Sequence, residues 1–288
     1  MTKILILAVF LCNAEAYAQN TKNTIIFDET GKSILRIYTV CEYKVILKNP
    51  VDKEVKIYTT MIGNGFFAED HSDFGDFVVS ANHLFLCNAT IGELVSRKVL
   101  EELDRSTKED LSPENITVMK DGKINDILAY IYDGTLVSSI NSNLKVLYHT
   151  DPPKTLSDPD AVLLKITVPK GVSHAHSSLM EDKNFDKIFY QESIIGKEVI
   201  ARGFLTFSNG WFLRYRNALI EWIRPEIFQI NELLDQGLSG GPVTYFDNKK
   251  TYAIGVISRG PAQQNNHVFD MSWITVIKKS FLDKRDKK

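Results

Sequence analysis

One serine of the chain lies in a setting that favours its use as a nucleophile. Ser239 occupies the segment "GLSGGPV" (237–243), where three glycines and a proline surround it between two apolar runs. A serine hydroxyl attacks a carbonyl efficiently only when a base takes its proton and a third group orients that base. Gly-rich turns between strands are common, so the segment alone also fits a plain turn. The interpretation therefore depends on a histidine and a carboxylate elsewhere in the chain.

Two residues that precede Ser239 have suitable local surroundings. Among six histidines, His83 follows the apolar run of "GDFVVSANHLF". Asp160 begins "DAVLLKI", and an ionised carboxylate at the mouth of so apolar a strand must be hydrogen-bonded to be tolerated. Asp158, two residues earlier, stays open as the alternative acid. Taken singly, each residue also fits an ordinary half-buried histidine or turn residue, but together they offer a base, an acid and a nucleophile.

The segments that must position these residues have the composition of β-strands. Val, Ile, Tyr and Thr fill short runs bounded by turn residues, and their spacing favours a sandwich or barrel over βαβ units. Helical periodicity is clear only in "IGELVSRKVLEELDR" (91–105) and weaker in "WITVIKKSFLDK" (273–284). The polar stretch 168–187 fits a connection between two halves. We therefore expect a mostly all-β protein made of two β units.

The beginning of the chain has the pattern of an export signal. Lys3 precedes an unbroken apolar run from Ile4 to Leu11, and Ala16-Tyr17-Ala18 is a small-x-small cleavage site. The apolar run is too short to span a bilayer. A net charge of −2 with mixed signs gives no basic field for nucleic acid and no polybasic membrane patch. We expect a signal peptide at 1–18 and an exported product, periplasmic or secreted, without a membrane anchor or a nucleic-acid partner.

Six motifs in one order resemble a trypsin-like (chymotrypsin-fold) serine protease of the bacterial HtrA-like, or trypsin-2, type. The likeness extends from about Gly63 to Trp273. It implies two six-stranded antiparallel β-barrels with a C-terminal helix. Within a protease domain at 19–288, the first barrel is expected at about 30–168 and the second at about 188–275. The motifs are "GNGFF", "VVSANH", "DAVLLKI", "IGKEVIARGF", "QGLSGGPV" and "GVISRG".

The resemblance implies a role for each candidate residue. Ser239 is expected to attack a peptide carbonyl, His83 to take and return its proton, and Asp160 to orient the imidazole, with an acyl-enzyme between two steps. The N–H groups of Gly237 and Ser239 are expected to form the oxyanion hole. No cofactor is needed, and the partners are protein or peptide substrates. The expected substrate-binding residues are Leu233, Leu234, Ser258, Arg259, Gly260 and His267.

The pocket positions and some departures from the family pattern refine this expectation. Leu233 stands where a protease that cleaves after Lys or Arg needs a carboxylate, so small or medium apolar side chains are the expected preference. Leu238 replaces the aspartate that receives a new N-terminus in digestive members, so activation through that ion pair is not expected. The chain after Trp273 is too short for a PDZ domain.

Two other functions remain alternatives to the protease. A catalytically silent chymotrypsin-fold binding module would share the fold without the chemistry. An esterase with the same residues is disfavoured, because it would normally show the order serine, acid, histidine on an α/β framework.

Several features stay outside this interpretation. Cys12 leaves with the signal, and whether Cys41 and Cys87 pair is open, because sequence does not give their separation in space. His174 and His176 form His-x-His, but no third ligand is visible, so a solvated loop and no metal site are expected. The region 96–123 is expected to hold an insertion of unknown purpose.

Overall fold

The computed structural model describes most of the chain, in twelve stretches. The expected signal segment 1–18 and the predicted helix at 91–105 lie outside them, as does nearly all of the expected insertion. The described stretches are 31–47, 53–69, 76–88, 116–118, 122–139, 144–155, 158–207, 210–247, 250–259, 263–264, 267–268 and 271–286.

The first half of the described chain forms one eight-stranded sheet that curls into a half-barrel. Its neighbours follow the order β6-β5-β1-β2-β3-β8-β7, with β4 paired to β1, and every pairing is antiparallel. Because side chains alternate between faces along a strand, Leu35 and Ile37 share the buried face with Phe67 and Val78. The strands are β1 (Ile34–Leu47), β2 (Lys53–Ala68), β3 (Asp76–Ser80), β4 (Ile116–Val118), β5 (Lys123–Tyr130), β6 (Leu136–Ser139), β7 (Leu144–His149) and β8 (Val162–Ile166).

The second half forms a closed barrel of six strands in the order β10-β11-β16-β13-β12-β9. Its interior is filled by apolar side chains such as Leu205, Phe228 and Ile254. The strands are β9 (Glu198–Phe207), β10 (Gly210–Ile223), β11 (Ile227–Ile230), β12 (Pro242–Asp247), β13 (Lys250–Arg259) and β16 (Ser272–Val276), and β14 (Gln263–Gln264) pairs with β15 (His267–Val268) as a separate hairpin.

Helical structure is scarce among the described residues. A short α-helix, α1 (Asp182–Asp186), continues into a π-helical turn (Lys187–Gln191) before the second barrel. Single 3-10 turns cover Gly31–Ser33 and Asn82–Phe85, and a longer 3-10 helix covers Lys279–Asp286. Within the described residues, no helix has both the length and the apolar composition needed to cross a bilayer.

The connection between the two units is fixed to both of them. Ser177 forms a parallel bridge with Ala68 of β2, and Leu179 forms one with Ala253 of β13. A hydrophobic cluster joins the units as well, since Phe66 and Leu163 of the first pack in one group with Val256 of the second. The two units therefore share one hydrophobic cluster, in which residues of β3 and β8 pack against the second barrel.

The architecture confirms the predicted chymotrypsin-like, mostly β fold, with differences in detail. The first unit is an eight-stranded curled sheet in its described part, where a six-stranded barrel was expected. The segment 273–284 is not one helix: β16 runs to Val276, and the 3-10 helix begins at Lys279. The β-branched Ile274 and Thr275 are paired with β11 and β13 on either side, and this tertiary pairing overrides the weak helical periodicity.

The two histidines of the His-x-His segment have a third partner, which was not visible in the sequence. Both His174 and His176 contact the carboxylate of Asp76, at the first residue of β3. Sequence offered no hint of this third residue, because 98 positions separate Asp76 from His174.

Candidate active site

His83 and Asp160 form a pair at one end of the curled sheet. His83 lies in the 3-10 turn that follows β3, and Asp160 lies just before β8, which pairs with β3. The His83 Nδ1 is 2.5 Å from Asp160 Oδ2, and the His83 backbone N–H donates to Oδ1 at 2.8 Å. Asp160 has no exposed surface, whereas 27% of the His83 side chain is exposed. Both carboxylate oxygens are thus directed at one histidine.

Residues of the second barrel hold the backbone of Asp160 in place. The Asp160 backbone N–H donates to Thr275 Oγ1 at 2.9 Å, and the Thr275 and Ser258 hydroxyls lie 2.5 Å apart. Thr275 belongs to β16, and its own N–H donates to Ser258 Oγ at 3.1 Å. Thr275 was not predicted from the sequence, since nothing local marks a threonine within a strand as the hydrogen-bond partner of a distant aspartate.

Asp158, the alternative acid, is used differently. Its Oδ2 accepts the backbone N–H groups of Lys154 and Thr155, each at 2.7 Å. That carboxylate closes a local turn in the loop before β8. The structure therefore brings Asp160, and not Asp158, to His83.

Ser239 lies in a tight loop between β11 and β12. Gly237 and Gly240 have φ angles of +92° and +84°, which L side chains rarely adopt. A Cβ on Gly240 would lie 1.8 Å from the Asn64 carbonyl oxygen, so the loop also needs a glycine there to approach β2. The Gly240 N–H donates to the Ile257 carbonyl at 2.8 Å, which ties the loop to β13.

Contacts across Gly63 bring this loop to the His83 turn. The Asn64 N–H donates to the Ser239 carbonyl at 2.7 Å. A Cβ on Gly63 would lie 2.2 Å from Leu84 Cδ1 and 2.8 Å from the Ser239 carbonyl oxygen. Ser239 and the neighbour of His83 therefore pack against the same glycine, at the junction of the two units.

Two buried polar side chains hold the carbonyl of Gly237. Arg36 NH1 donates to it at 2.8 Å, and Asn64 Nδ2 donates to it at 2.7 Å. Both side chains also donate to the Phe204 carbonyl, and Arg36 NH2 reaches Thr206 Oγ1 at 2.7 Å. Burial lowers the pKa of Arg36 from its usual value, although a guanidinium remains cationic at neutral pH. Neither residue was predicted from the sequence.

The structure describes only part of the predicted substrate pocket. Leu233 is 40% exposed, whereas Leu234 is buried and its N–H donates to Ser272 Oγ at 3.0 Å. Ser258 is buried against Thr275. Gly260 and the side chains of Arg259 and His267 lie outside the described residues.

Comparisons with known proteins identify the fold. No protein-family model matches the sequence, and no curated protein is significantly similar to it. Among solved structures, a thermostable serine protease AL20 from an extremophilic microorganism aligns with a TM-score of 0.50 and 9% identity, over 90% of this chain and 98% of that one. Protease Anisep from Arthrobacter nicotinovorans aligns with a TM-score of 0.50 and 11% identity, over 90% and 96%.

The chain has the chymotrypsin-like fold of these serine proteases. Identities of 9% and 11% establish the fold alone, so an argument about chemistry must rest on the residues of this chain.

Proposed function

We propose that the chain is an exported serine endopeptidase that cleaves peptide bonds through an acyl-enzyme on Ser239. The observation that carries the proposal is the commitment of both Asp160 oxygens to His83, at 2.5 and 2.8 Å. A fully buried carboxylate that is hydrogen-bonded to a partly exposed histidine can orient the imidazole as a general base and balance its positive charge.

His83 is the proposed base and acid. Because its Nδ1 faces Asp160, the proton of the neutral ring is assigned to Nδ1, which leaves Nε2 to accept the proton of Ser239. Asp160 then balances the charge of the imidazolium that forms during attack. The same imidazolium returns the proton to the leaving amine.

Gly237 and Ser239 are the proposed oxyanion donors. The Arg36 and Asn64 hydrogen bonds to the Gly237 carbonyl restrain the peptide group between Gly237 and Leu238, inside the loop that carries both proposed donors. Loss of one such donor typically raises the barrier by about 3 to 4 kcal/mol. The loop thus supplies a donor that is oriented before substrate arrives.

A preference for small or medium apolar side chains before the cut extends this proposal. Leu233 offers no carboxylate, and the two nearest acids in sequence already face arginines. Glu232 lies 3.7 Å from Arg216, and Asp235 lies 3.5 Å from Arg214 and 3.6 Å from Arg216. A buried Lys or Arg of a substrate would remain unpaired, which costs several kcal/mol. Profiling on a peptide library tests this preference, and dominant cleavage after Lys, Arg or Glu would contradict it.

Export is proposed from the signal pattern at 1–18 and from the disulfide between Cys41 and Cys87. Disulfides persist mainly in oxidising compartments. N-terminal sequencing of the exported protein should give a sequence that begins at Gln19.

The proposed enzyme needs no new N-terminus for activation. Leu238 is fully buried in the core of the second barrel, which supports activity without a charged N-terminus inserted beside the loop.

Covalent labelling with a fluorophosphonate tests the proposed nucleophile. We expect the mature protein to be labelled on Ser239, as located by mass spectrometry, and Ser239→Ala to lose the label while its circular dichroism is unchanged. The exposed Ser173 provides the matched control, and Ser173→Ala should label at the wild-type rate. A folded wild-type protein that neither labels nor cleaves peptides would instead be the catalytically silent binding module.

A further inference from the structure

A second group of chemically active side chains lies at the opposite end of β3 from His83. It consists of Asp76 on the first residue of β3 and of His174 and His176 on the connection between the two units. The proposed catalytic mechanism uses none of the three. We call them the Asp76 cluster.

The ligand atoms of the Asp76 cluster converge. Asp76 Oδ1 lies 3.0 Å from His174 Nε2 and 2.9 Å from His176 Nε2, and all three atoms lie within 4.8 Å of one another. In a tetrahedral site with bonds near 2.0 to 2.1 Å, two ligand atoms are about 3.3 Å apart. Small side-chain movements would therefore open a position equidistant from all three atoms.

Packing restrains His174, and backbone hydrogen bonds hold the segment that carries both histidines. The His174 ring centroid lies 4.3 Å from that of Phe67, and only 13% of the side chain is exposed. The backbone on both sides is anchored, since Ala175 N–H donates to the Lys32 carbonyl and Ser177 N–H to the Phe67 carbonyl. A site built on restrained side chains loses little conformational freedom when it binds an ion.

We propose that the Asp76 cluster binds a divalent transition-metal ion, with Zn²⁺ as the expected occupant. Two imidazoles and one carboxylate suit Zn²⁺, whereas Ca²⁺ and Mg²⁺ prefer oxygen ligands throughout. The fourth position of the ion is left for water. The bound metal links the connection between the units to the first residue of β3, the strand that precedes the His83 turn.

The alternative is a clasp without metal, in which Asp76 accepts hydrogen bonds from both imidazoles. The metal site and the hydrogen-bonded cluster differ in how added Zn²⁺ affects the stability of the folded protein. With a metal site, the folded protein becomes more stable as the free Zn²⁺ concentration rises above the dissociation constant, because the ion binds the folded state far better than the unfolded one. A hydrogen-bonded clasp gains nothing from the ion.

The test is a calorimetric titration of Zn²⁺ into chelator-treated mature protein carrying Ser239→Ala, which prevents self-cleavage. We expect one ion to bind at this cluster, with an affinity at least about ten-fold lower after His174→Ala or after Asp76→Asn. His149→Ala, on an exposed residue of β7, is the matched control and should bind as tightly as its parent. His83→Ala separates this site from any binding at the catalytic histidine and should also leave it intact.

Thermal melting provides the second readout. Zn²⁺ should raise the Tm of the parent and of His149→Ala, and should leave the Tm of Asp76→Asn unchanged. Co²⁺ in place of Zn²⁺ should give the intense visible absorption of a four-coordinate site in the parent and in His149→Ala, and not in Asp76→Asn. Equal Zn²⁺ affinity in the folded parent, His174→Ala and Asp76→Asn, or no binding by the parent, would overturn the proposal. Both results are independent of whether Ser239 is a nucleophile.

Discussion

Asp160 is the residue whose surroundings carry most of the chemical argument. It is fully buried, and three hydrogen bonds to residues of the two units fix its carboxylate and its N–H. Asp160→Asn keeps the shape but presents an amide to His83, which selects the wrong tautomer. We expect kcat/KM for a peptide substrate to fall by about 10⁴ with little change in Tm.

Asp158 supplies the matched control for that variant. Asp158→Asn removes a charge only two residues away, where the carboxylate accepts backbone N–H groups in an exposed turn. Its activity should remain within a few-fold of wild type. If Asp158→Asn lowered activity and Asp160→Asn did not, the assignment of Asp160 as the acid would be wrong.

Arg36 is predicted to be a positioning residue for the oxyanion loop. Arg36→Met leaves the Gly237 and Phe204 carbonyls with fewer donors in a buried place, which should cost about 3 kcal/mol of the free energy of unfolding. If it positions the loop, kcat should fall at least ten-fold with KM little changed, and Arg36→Lys should recover part of the loss. Steady-state kinetics on protein shown by circular dichroism to be folded measures both.

Arg224 is the control position for Arg36, because its substitution shows what the loss of an arginine elsewhere does to stability and kcat. It is exposed, and its guanidinium lies over the Trp222 ring at 4.6 Å. Arg224→Met should change stability by less than about 1 kcal/mol and leave kcat unchanged. An Arg36→Met protein with reduced Tm but wild-type kcat would make Arg36 purely structural.

The candidate residues differ in how far the sequence could predict them. The tight loop around Ser239 was predictable because the backbone angles at Gly237 and Gly240 demand glycines, which are visible in the sequence; the role of Ser239 stays a prediction. Arg36, Asn64 and Thr275 were not, since each acts through a hydrogen bond to a distant segment. The Arg36 contact with Gly237 spans 201 positions.

At the scale of elements, strand composition predicted most of the sheet. The run "EVKIYTTMIG" lies within β2, and all of "KEVIARGFLTF" except its first residue lies within β9. Closure was not predictable in the same way, because it depends on register and on which edges meet. The first sheet therefore differs from the expected barrel although its strands were largely foreseen.

Glu42 links three neighbouring strands through its charge. On β1 it is only 4% exposed, and it contacts Lys56 and Tyr58 of β2 and Lys123 of β5. Burial alone would raise the pKa of this carboxyl, but hydrogen bonds from Lys56, Lys123 and Tyr58 together lower it to about 2. The ionised form is therefore favoured by folding.

The sign of this shift predicts a pH-dependent stability. With a folded pKa below the ordinary value, the contribution is complete above the unfolded pKa near 4.5 and is lost as the pH falls towards about 2. Glu42→Gln should therefore cost about 1 kcal/mol at pH 7, since exposed lysines are screened by solvent, and progressively less below about pH 4.5. Urea unfolding at several pH values measures the difference.

Glu54 is the control on the adjacent strand. Its carboxylate pairs with Lys44 at 2.7 Å, but both side chains are about half exposed. Glu54→Gln should change stability little at any pH. A Glu42→Gln deficit that persists unchanged at pH 2 would show that lost packing, and not charge, is responsible.

At the scale of the whole molecule, the proposed chemistry depends on both units. The curled sheet contributes His83 and Asp160, while the closed barrel contributes Ser239 and Thr275. A hydrophobic cluster and the connection through Ser177 and Leu179 hold the units together. Changes that loosen this junction should reduce activity before they unfold either sheet.

The disulfide between Cys41 and Cys87 braces the unit that carries His83. It joins the middle of β1 to the segment four residues beyond His83, with a Cα–Cα distance of 5.5 Å and 46 positions between them. A bridge over that length reduces the entropy of the unfolded chain and thereby raises the free energy of unfolding by up to about 4 kcal/mol. The double variant Cys41→Ser/Cys87→Ser should lose stability towards that limit in urea unfolding, and dithiothreitol should destabilise the wild type but not the variant. Two free thiols in unreduced, denatured wild-type protein would contradict the bond.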